Sequence, residues 1–213
     1  SFSFVFKAVI GSYLPVDAVW KDLVTNIGYT IGFIIAILGH MQLFTENTIT
    51  TVIPLFKPFS FAKLKAVGRL WSIVITANVV GTFLSSLFFL TTALFTPEVD
   101  HALNEIAHHV ASFSAWENFL KGTMSGLLIA ALVWMLPSVN NKILLIFLLT
   151  YLIGLGDFTH VVVGSVEVAY LVWQDQVSLS EFCFQFLLPT TLGNILGGTG
   201  VFTLLIYGQV NEE

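Results

Sequence analysis

Gln42-Leu43-Phe44-Thr45-Glu46-Asn47 sits in the middle of an apolar stretch running from Ile27 to Phe56, and Asp157-Phe158-Thr159-His160 sits in the middle of another, from Ile143 to Trp173, which also holds Glu167. A helix crosses the hydrocarbon core with about 20 mostly apolar residues, so each stretch is too long for one straight span and too polar at its centre. We read each as a membrane-crossing helix broken halfway. Breaking a helix in lipid frees backbone N–H and C=O groups that protein or water must satisfy, and chains tolerate this where the break lines a passage. Two such breaks point to a site near the membrane midplane. The competing reading is a pair of kinks that serve packing alone, for which Thr, Glu, Asn, Asp and His are costly residues.

The rest of the chain has the composition such a site requires. Of 213 residues 56% are apolar and 10% charged, with a mean hydropathy of +0.88, against roughly a quarter charged in soluble domains. A water-soluble globule is excluded. Leu70 to Phe95, Gly122 to Asn141 and Phe182 to Val210 carry no charge and read as three further spans. Ser1 to Leu14 is too short to cross alone and reads as the tail of a first span that begins upstream of residue 1. Long unalternated runs exclude a barrel, so the six spans are helices. The connection holding Lys57, Lys63, Lys65 and Arg69 faces the cytoplasm by the excess of cations on that side. The connection from Thr96 to Lys121, with Glu98, Asp100, Glu105 and Glu117, is then external, and both termini of the complete protein are cytoplasmic. A net charge of -5 with eight Lys and Arg excludes a nucleic-acid partner.

The two halves resemble each other. Phe44-Thr45 and Phe158-Thr159 share Phe-Thr, and Asn78-Val79-Val80-Gly81 and Asn194-Ile195-Leu196-Gly197 share Asn-x-x-Gly, 33 and 35 residues after the threonine. Three spans per half, about 1–95 and 117–210 of a single transmembrane domain, make the halves face opposite ways, an inverted repeat. Half-helices then aim their positive N-terminal ends at the passage and favour an anion there.

At these residues the chain resembles the formate/nitrite transporter family. Gln42-Leu43-Phe44-Thr45, Asn78-Val79-Val80-Gly81, Lys121-Gly122 leading into Ala131-Leu132-Val133-Trp134, Phe158-Thr159-His160, and Pro189-Thr190-Thr191-Leu192-Gly193-Asn194-Ile195-Leu196-Gly197-Gly198 follow in the family's order, the last being the most specific. Glu46-Asn47 resembles the family's less-characterised inner-membrane branch. The resemblance implies an all-α membrane protein, an aquaporin-like six-helix bundle with an inverted three-helix repeat and two broken helices. It implies a homopentamer in the bacterial inner membrane that needs no cofactor and is not an enzyme. Each protomer would carry its own pore for a small anion or its conjugate acid, such as formate, nitrite, acetate or hydrosulfide. It implies His160 as the central pore histidine with Thr45 as its hydrogen-bonding partner and Thr159 and Asp157 beside them. Phe33, Leu43 and Phe44 would form the inner hydrophobic constriction, and Tyr29, Ile129 and Ile153 the outer one. Glu46, Glu167, Asn78 and Asn194 are further candidates for the pore lining.

The chain also departs from the family's pattern. The glutamate that precedes the family's histidine is Thr159 here, and a carboxylate, Asp157, stands two positions earlier. Two pore-side asparagines fall at Gly126 and Gly164, which removes two amides and opens the lumen to a bulkier or differently hydrated solute. The external lysine falls near Val110, beside His108 and His109. Glu167, seven residues after His160, lies on the same face of a continuous helix and is either pore-lining or a carboxylate at a subunit interface or headgroup level. Lys121 reads as a snorkelling end-anchor.

The chemistry stands without the family. Placing a bare anion in an apolar slit costs many kcal/mol, more than one hydrogen bond returns, and protonation removes that cost. A midplane histidine, with an ordinary pKa of about 6.5, then donates, relays or only hydrogen-bonds the proton, and Asp157 helps decide which. The expected function is a channel or proton-linked transporter for a small monovalent weak-acid anion. One alternative is a neutral-solute pore of the same fold. Another is a membrane metal-binding protein using His101, Glu105, His108 and His109, whose spacing puts them on one helix face that either binds an ion such as zinc or is simply solvated.

Overall fold

Apolar runs of membrane-crossing length become helices because only a helix satisfies its own backbone in lipid. In the computed structural model, which describes residues 1–52 and 60–202, these are α1 (Phe2–Ser12), α2 (Lys21–Leu38), α3 (Phe44–Thr50), α4 (Phe61–Thr91), α5 (Pro97–Ala111), α6 (Ala115–Met135), α7 (Lys142–Leu155), α8 (Val161–Val172), α9 (Leu179–Glu181) and α10 (Leu188–Ile195). No strand occurs among the described residues. A 3-10 turn extends α6, a π-helical stretch at Phe182–Leu187 joins α9 to α10, and a second at Leu196–Phe202 extends α10. Segments α2, α4 and the extended α6 are each long and apolar enough to cross a membrane. The protein is an all-α membrane protein.

Two helices begin earlier than their uncharged runs. Ser60 caps α4 by accepting from the Ala62 N–H, so Lys63, Lys65 and Arg69 lie inside the helix rather than in a connection. Ser114 and Glu117 form a capping box at the start of α6. The expected ends at Phe56 and Val210, and the cation Lys57, lie outside the described residues.

Both interrupted spans are broken, and in the same way. After Gly39, His40 takes a left-handed conformation (φ 54°), and the Met41 N–H returns to the Ala36 carbonyl at 2.8 Å. After Gly156, Asp157 does the same (φ 56°), and the Phe158 N–H returns to Ile153 at 3.0 Å. His and Asp tolerate this region better than most side chains, and the long return bond satisfies a helix-end carbonyl. The chain then extends through Leu43 and His160 into α3 and α8. Asn78 Oδ1 accepts the Phe44 N–H at 3.0 Å and its Nδ2 donates to the Gln42 carbonyl at 3.0 Å. Asn194 Oδ1 accepts the Val161 N–H at 3.0 Å and its Nδ2 donates to Thr159 at 3.2 Å. These bonds pair Phe44 with Val161 and Leu43 with His160. The shared Phe-Thr dipeptides are therefore three residues out of step, and the true correspondence is Gly39-His40 with Gly156-Asp157.

The connection between α4 and α6 is not a loose loop. Leu103 and Ala107 of α5 are fully buried against Phe4 and Ala8 of α1 and against Val166, Tyr170 and Leu171 of α8. His101, Glu105, His108 and His109 face outward instead. Among the described residues no three metal-ligating side chains converge, so the metal-binding alternative loses its geometric basis.

Segments α6 and α10 cross at backbone contact: a Cβ on Gly126 would overlap the Asn194 carbonyl. Gly126→Val is expected to destabilise the purified protein by about 1–3 kcal/mol, read as a lower melting temperature in detergent. Gly68→Ala, at a position with open space around it, is expected to leave the melting temperature unchanged or raise it.

Candidate functional site

His160 is the N-cap residue of α8 and is 1% exposed. Its Nδ1 accepts the Val163 N–H at 3.4 Å, Nε2 lies 2.7 Å from Thr45 Oγ1 on α3, and the Phe33 ring meets the imidazole edge-on at 5.0 Å. With Nδ1 used as an acceptor, the tautomer assigned from these partners carries its proton on Nε2 and donates to Thr45. The expected pairing of His160 with Thr45 is thus a direct contact across the two breaks.

Beneath it lies a hydrogen-bonded knot. Thr159 Oγ1 donates to the Asn118 carbonyl at 3.1 Å, and the Thr159 carbonyl accepts from Ser125 Oγ at 2.6 Å. Asn194 adds bonds to the Gly122 carbonyl at 2.8 Å and to Ser125 Oγ at 2.9 Å. A buried amide with this many partners fixes backbone rather than solute, and Asn194 borders none of the cavities described below.

Three cavities follow one another. An outer vestibule of about 380 Å³ is bordered by Lys7, Lys21, Asp22, Asn26, His109 and Asp157. A chamber of about 30 Å³ is bordered by Lys7, Tyr29, Ile153, Thr159, His160 and Glu167 among others. An inner cavity of about 660 Å³ is bordered by Phe33, Gln42, Leu43, Asn78 and His160 among others. Lys7 and Asp157 belong to both vestibule and chamber, and His160 alone belongs to both chamber and inner cavity.

The remaining candidate residues divide. Tyr29 and Ile153 border the chamber, Phe33 and Leu43 border the inner cavity, and Ile129 packs behind them in the same apolar cluster. Phe44 turns the other way and packs on Trp71 (5.8 Å between ring centres), Val74 and Val161. It occupies the position that Val161 takes in the second half and fills a helix contact, not a constriction. Glu46 is half-buried and borders none of the three cavities. Glu167 is 4% exposed and borders the chamber. Gly126 is sealed against α10, and the Phe186 ring occupies the space where a side chain at Gly164 would stand. Gly126 therefore does not open the lumen, whereas Gly164 borders the chamber with the Phe186 ring in place of a side chain of its own.

Asp157 does not face His160. Its Oδ2 lies 3.1 Å from Lys121 Nζ and 2.9 Å from His109 Nε2, and Lys121 also donates to the Asp157 carbonyl at 3.1 Å while resting 4.2 Å above the Phe113 ring. Lys121 is thus tied to the second break instead of snorkelling to the surface. Lys7 was not among the residues singled out from sequence. The signal was present: it is the one charge in the first apolar segment, and an ionisable residue at membrane depth is a functional candidate by default.

Residues 1–208 match the family model described as formate/nitrite transporter. Inner membrane protein YfdC of Escherichia coli (strain K12) is 42% identical over 192 residues, 90% of this chain and 62% of that protein. Formate-nitrite transporter 2 of Toxoplasma gondii (strain ATCC 50611 / Me49) is 27% identical over 175 residues, 80% of this chain and 38% of that protein. The chain spans less than two thirds of the length of these relatives. A solved structure described as a pentameric formate channel with formate bound is similar with a TM-score of 0.85 over 99% of this chain and 91% of that one, at 21% identity. A likeness at that identity is one of fold.

Asn194→Leu is expected to lower the melting temperature more than Asn78→Leu, because Asn194 is fully buried with four bonds whereas Asn78 is half-buried with two and each orphaned buried polar group costs about 1–3 kcal/mol. The hydrogen bond from His109 to Asp157 holds that imidazole's pKa above its ordinary value. The stabilisation is complete below the ordinary pKa of about 6.5 and is lost as pH rises through the raised one. A pH series of melting curves is expected to show that decline in the unaltered protein and to lose it in His109→Gln.

Proposed function

The chain belongs to the formate/nitrite transporter family, and on that footing we propose that it is a channel or proton-linked transporter for a small monovalent weak-acid anion of the formate, nitrite, acetate or hydrosulfide kind. The observation that carries this reading is the succession of three cavities, vestibule and chamber sharing Lys7 and Asp157, chamber and inner cavity sharing His160, whose Nε2 lies against Thr45 Oγ1. Lys7, which borders both vestibule and chamber, draws the anion inward; the other vestibule cations, Lys21 and His109, stand beside the carboxylates of Asp22, Glu105 and Asp157. The Tyr29–Ile153 and Phe33–Leu43 surfaces beyond them admit it only as the neutral acid, since an apolar wall offers no compensation for a charge. His160 and Thr45 then supply the polar contact that a neutral acid needs at the narrowest point.

The same reading makes residues 1–213 one transmembrane domain of two oppositely facing halves, about 1–95 and 117–210, in the inner membrane with both ends cytoplasmic, and not an enzyme. It makes the assembly a homopentamer with one pore per protomer. The exposed row Leu70, Ile73, Val80 and Leu84 along α4 then meets lipid or a neighbouring copy.

The test is uptake of each of the four anions into proteoliposomes holding the full-length protein. At least one is expected to enter faster as the outside pH falls, because the neutral fraction of the acid grows. His160→Leu is expected to slow that flux about tenfold, the equivalent of one hydrogen bond of roughly 1.5 kcal/mol. No movement of any of the four, together with unchanged flux of every solute in His160→Asn, would overturn the reading.

A further inference from the structure

The central imidazole is not the source of the proton that a neutral solute must acquire. Its Nδ1 is occupied by the Val163 N–H and its Nε2–H faces Thr45. Giving up that one proton would leave an imidazolate, and taking a second would break the bond that caps α8. The proton therefore comes from another group that borders the chamber. The ionisable ones are Lys7 from α1, Tyr29 from α2, Asp157 and His160 from the break, and Glu167 from α8. The Asp157 carboxylate is bound by Lys121 and His109, a phenol, with an ordinary pKa of about 10, is too weak an acid, and an ammonium that gave up its proton would no longer hold the anion at Lys7. Glu167 remains.

Glu167 is 4% exposed, and its carboxyl makes no hydrogen bond among the described residues. The side-chain charges that reach it are Lys7, Asp157 and His109. The part of α4 packed on α8 carries no charge, and the π-helical stretch Phe182–Leu187 offers only the Cys183 thiol. A carboxyl group withdrawn from water persists either beside a cation or as the neutral acid. Lys7, whose ammonium stands 5.9 Å from the Tyr29 ring centre, supplies the cation across the chamber. The apolar surroundings of α8 supply the other condition. The chamber, with a volume of about 30 Å³, has room for a water molecule, and such a water would link the Glu167 carboxyl to the vestibule that Lys7 and Asp157 also border.

We propose that Glu167 is the proton-carrying side chain of the outer half of the passage, with Lys7 as its counter-ion. A weak-acid anion drawn to Lys7 takes the Glu167 proton through the chamber water. The carboxyl O–H bond breaks, an O–H bond forms on the solute, and RCOO⁻ with Glu167–COOH becomes RCOOH with Glu167–COO⁻, whose charge the Lys7 ammonium balances. The neutral acid moves on past His160, and hydronium from the vestibule restores Glu167–COOH. One proton accompanies each anion. This rests on the transport reading above and adds the group that loads the proton.

The test uses the full-length protein in proteoliposomes, with formate as solute, an internal pH dye, and infrared spectra of the same samples. The unaltered protein is expected to move one proton per formate and to show a protonated-carboxyl C=O band that fades on adding formate. Glu167→Gln, which keeps the shape of the side chain, is expected to abolish that band and to lower formate-coupled proton uptake at least tenfold. Glu167→Asp is expected to recover part of both. Formate uptake in Glu167→Gln at the original rate and with the original pH profile would overturn the proposal, as would a carboxyl band that survives the substitution or ignores formate and pH. If the unaltered protein moves no formate while a band removed by Glu167→Gln still titrates with outside pH, the transport reading fails and proton exchange at Glu167 stands.

Discussion

Two asparagine side chains hold this fold open at its centre. A helix interrupted in lipid exposes amides and carbonyls that nothing in hydrocarbon can satisfy, and here Asn78 and Asn194 each accept the first amide of the second half-helix and donate to the carbonyl two residues before it. Once those groups are satisfied, Leu43 and His160 can sit in extended conformation where an unbroken helix would have had ordinary turns. Every cavity wall discussed above depends on that. The second break is the more heavily braced, since Asn194 also reaches α6 through Gly122 and Ser125, and it is the break that carries the imidazole.

The bracing limits what the imidazole is free to do. A histidine that caps a helix with one nitrogen and meets a threonine with the other is held as a hydrogen-bonding fixture, and on the proposed reading the chemistry that moves a proton falls to a neighbour. Asp157, closest in sequence, is turned outward by its left-handed backbone and held by Lys121 and His109. Lys7 and Glu167, distant in sequence, both border the chamber because α1 and α8 pack around the same buried cluster as α5.

The sequence made legible whatever depends on local composition. Polar clusters inside overlong apolar runs located both breaks, and the charge-free runs located the unbroken spans. His160 and Thr45 came from a motif and do touch. What the sequence hid is orientation. Phe44 looked like a pore residue because it neighbours Thr45, yet one position along a short helix rotates its ring onto Trp71. Gly126 and Gly164 looked like lost lining, yet Gly126 is a helix crossing, and only Gly164, a seat for Phe186, borders the chamber. The repeat was found but aligned on Phe-Thr, a chance identity, when the physical signal was a glycine followed by a residue that tolerates positive φ. Lys121 was read from its position at the end of a span, and only the fold reveals the carboxylate opposite.

The wide turns at Phe182–Leu187 deserve a final look in this light. Pro189 has no amide to offer the Gln185 carbonyl four residues earlier, and Asn118 Nδ2 fills that vacancy at 2.8 Å. A π-helical turn takes one residue more than an ordinary turn over nearly the same rotation. Removing one residue from this stretch and returning it to ordinary helix would therefore leave Asn194 facing Val161 and Thr159, whereas removing one between Leu188 and Asn194 would swing the amide through about 100°. Loss of a residue after the wide turns, and not within them, would uncouple a distant backbone gap from the amide that closes it.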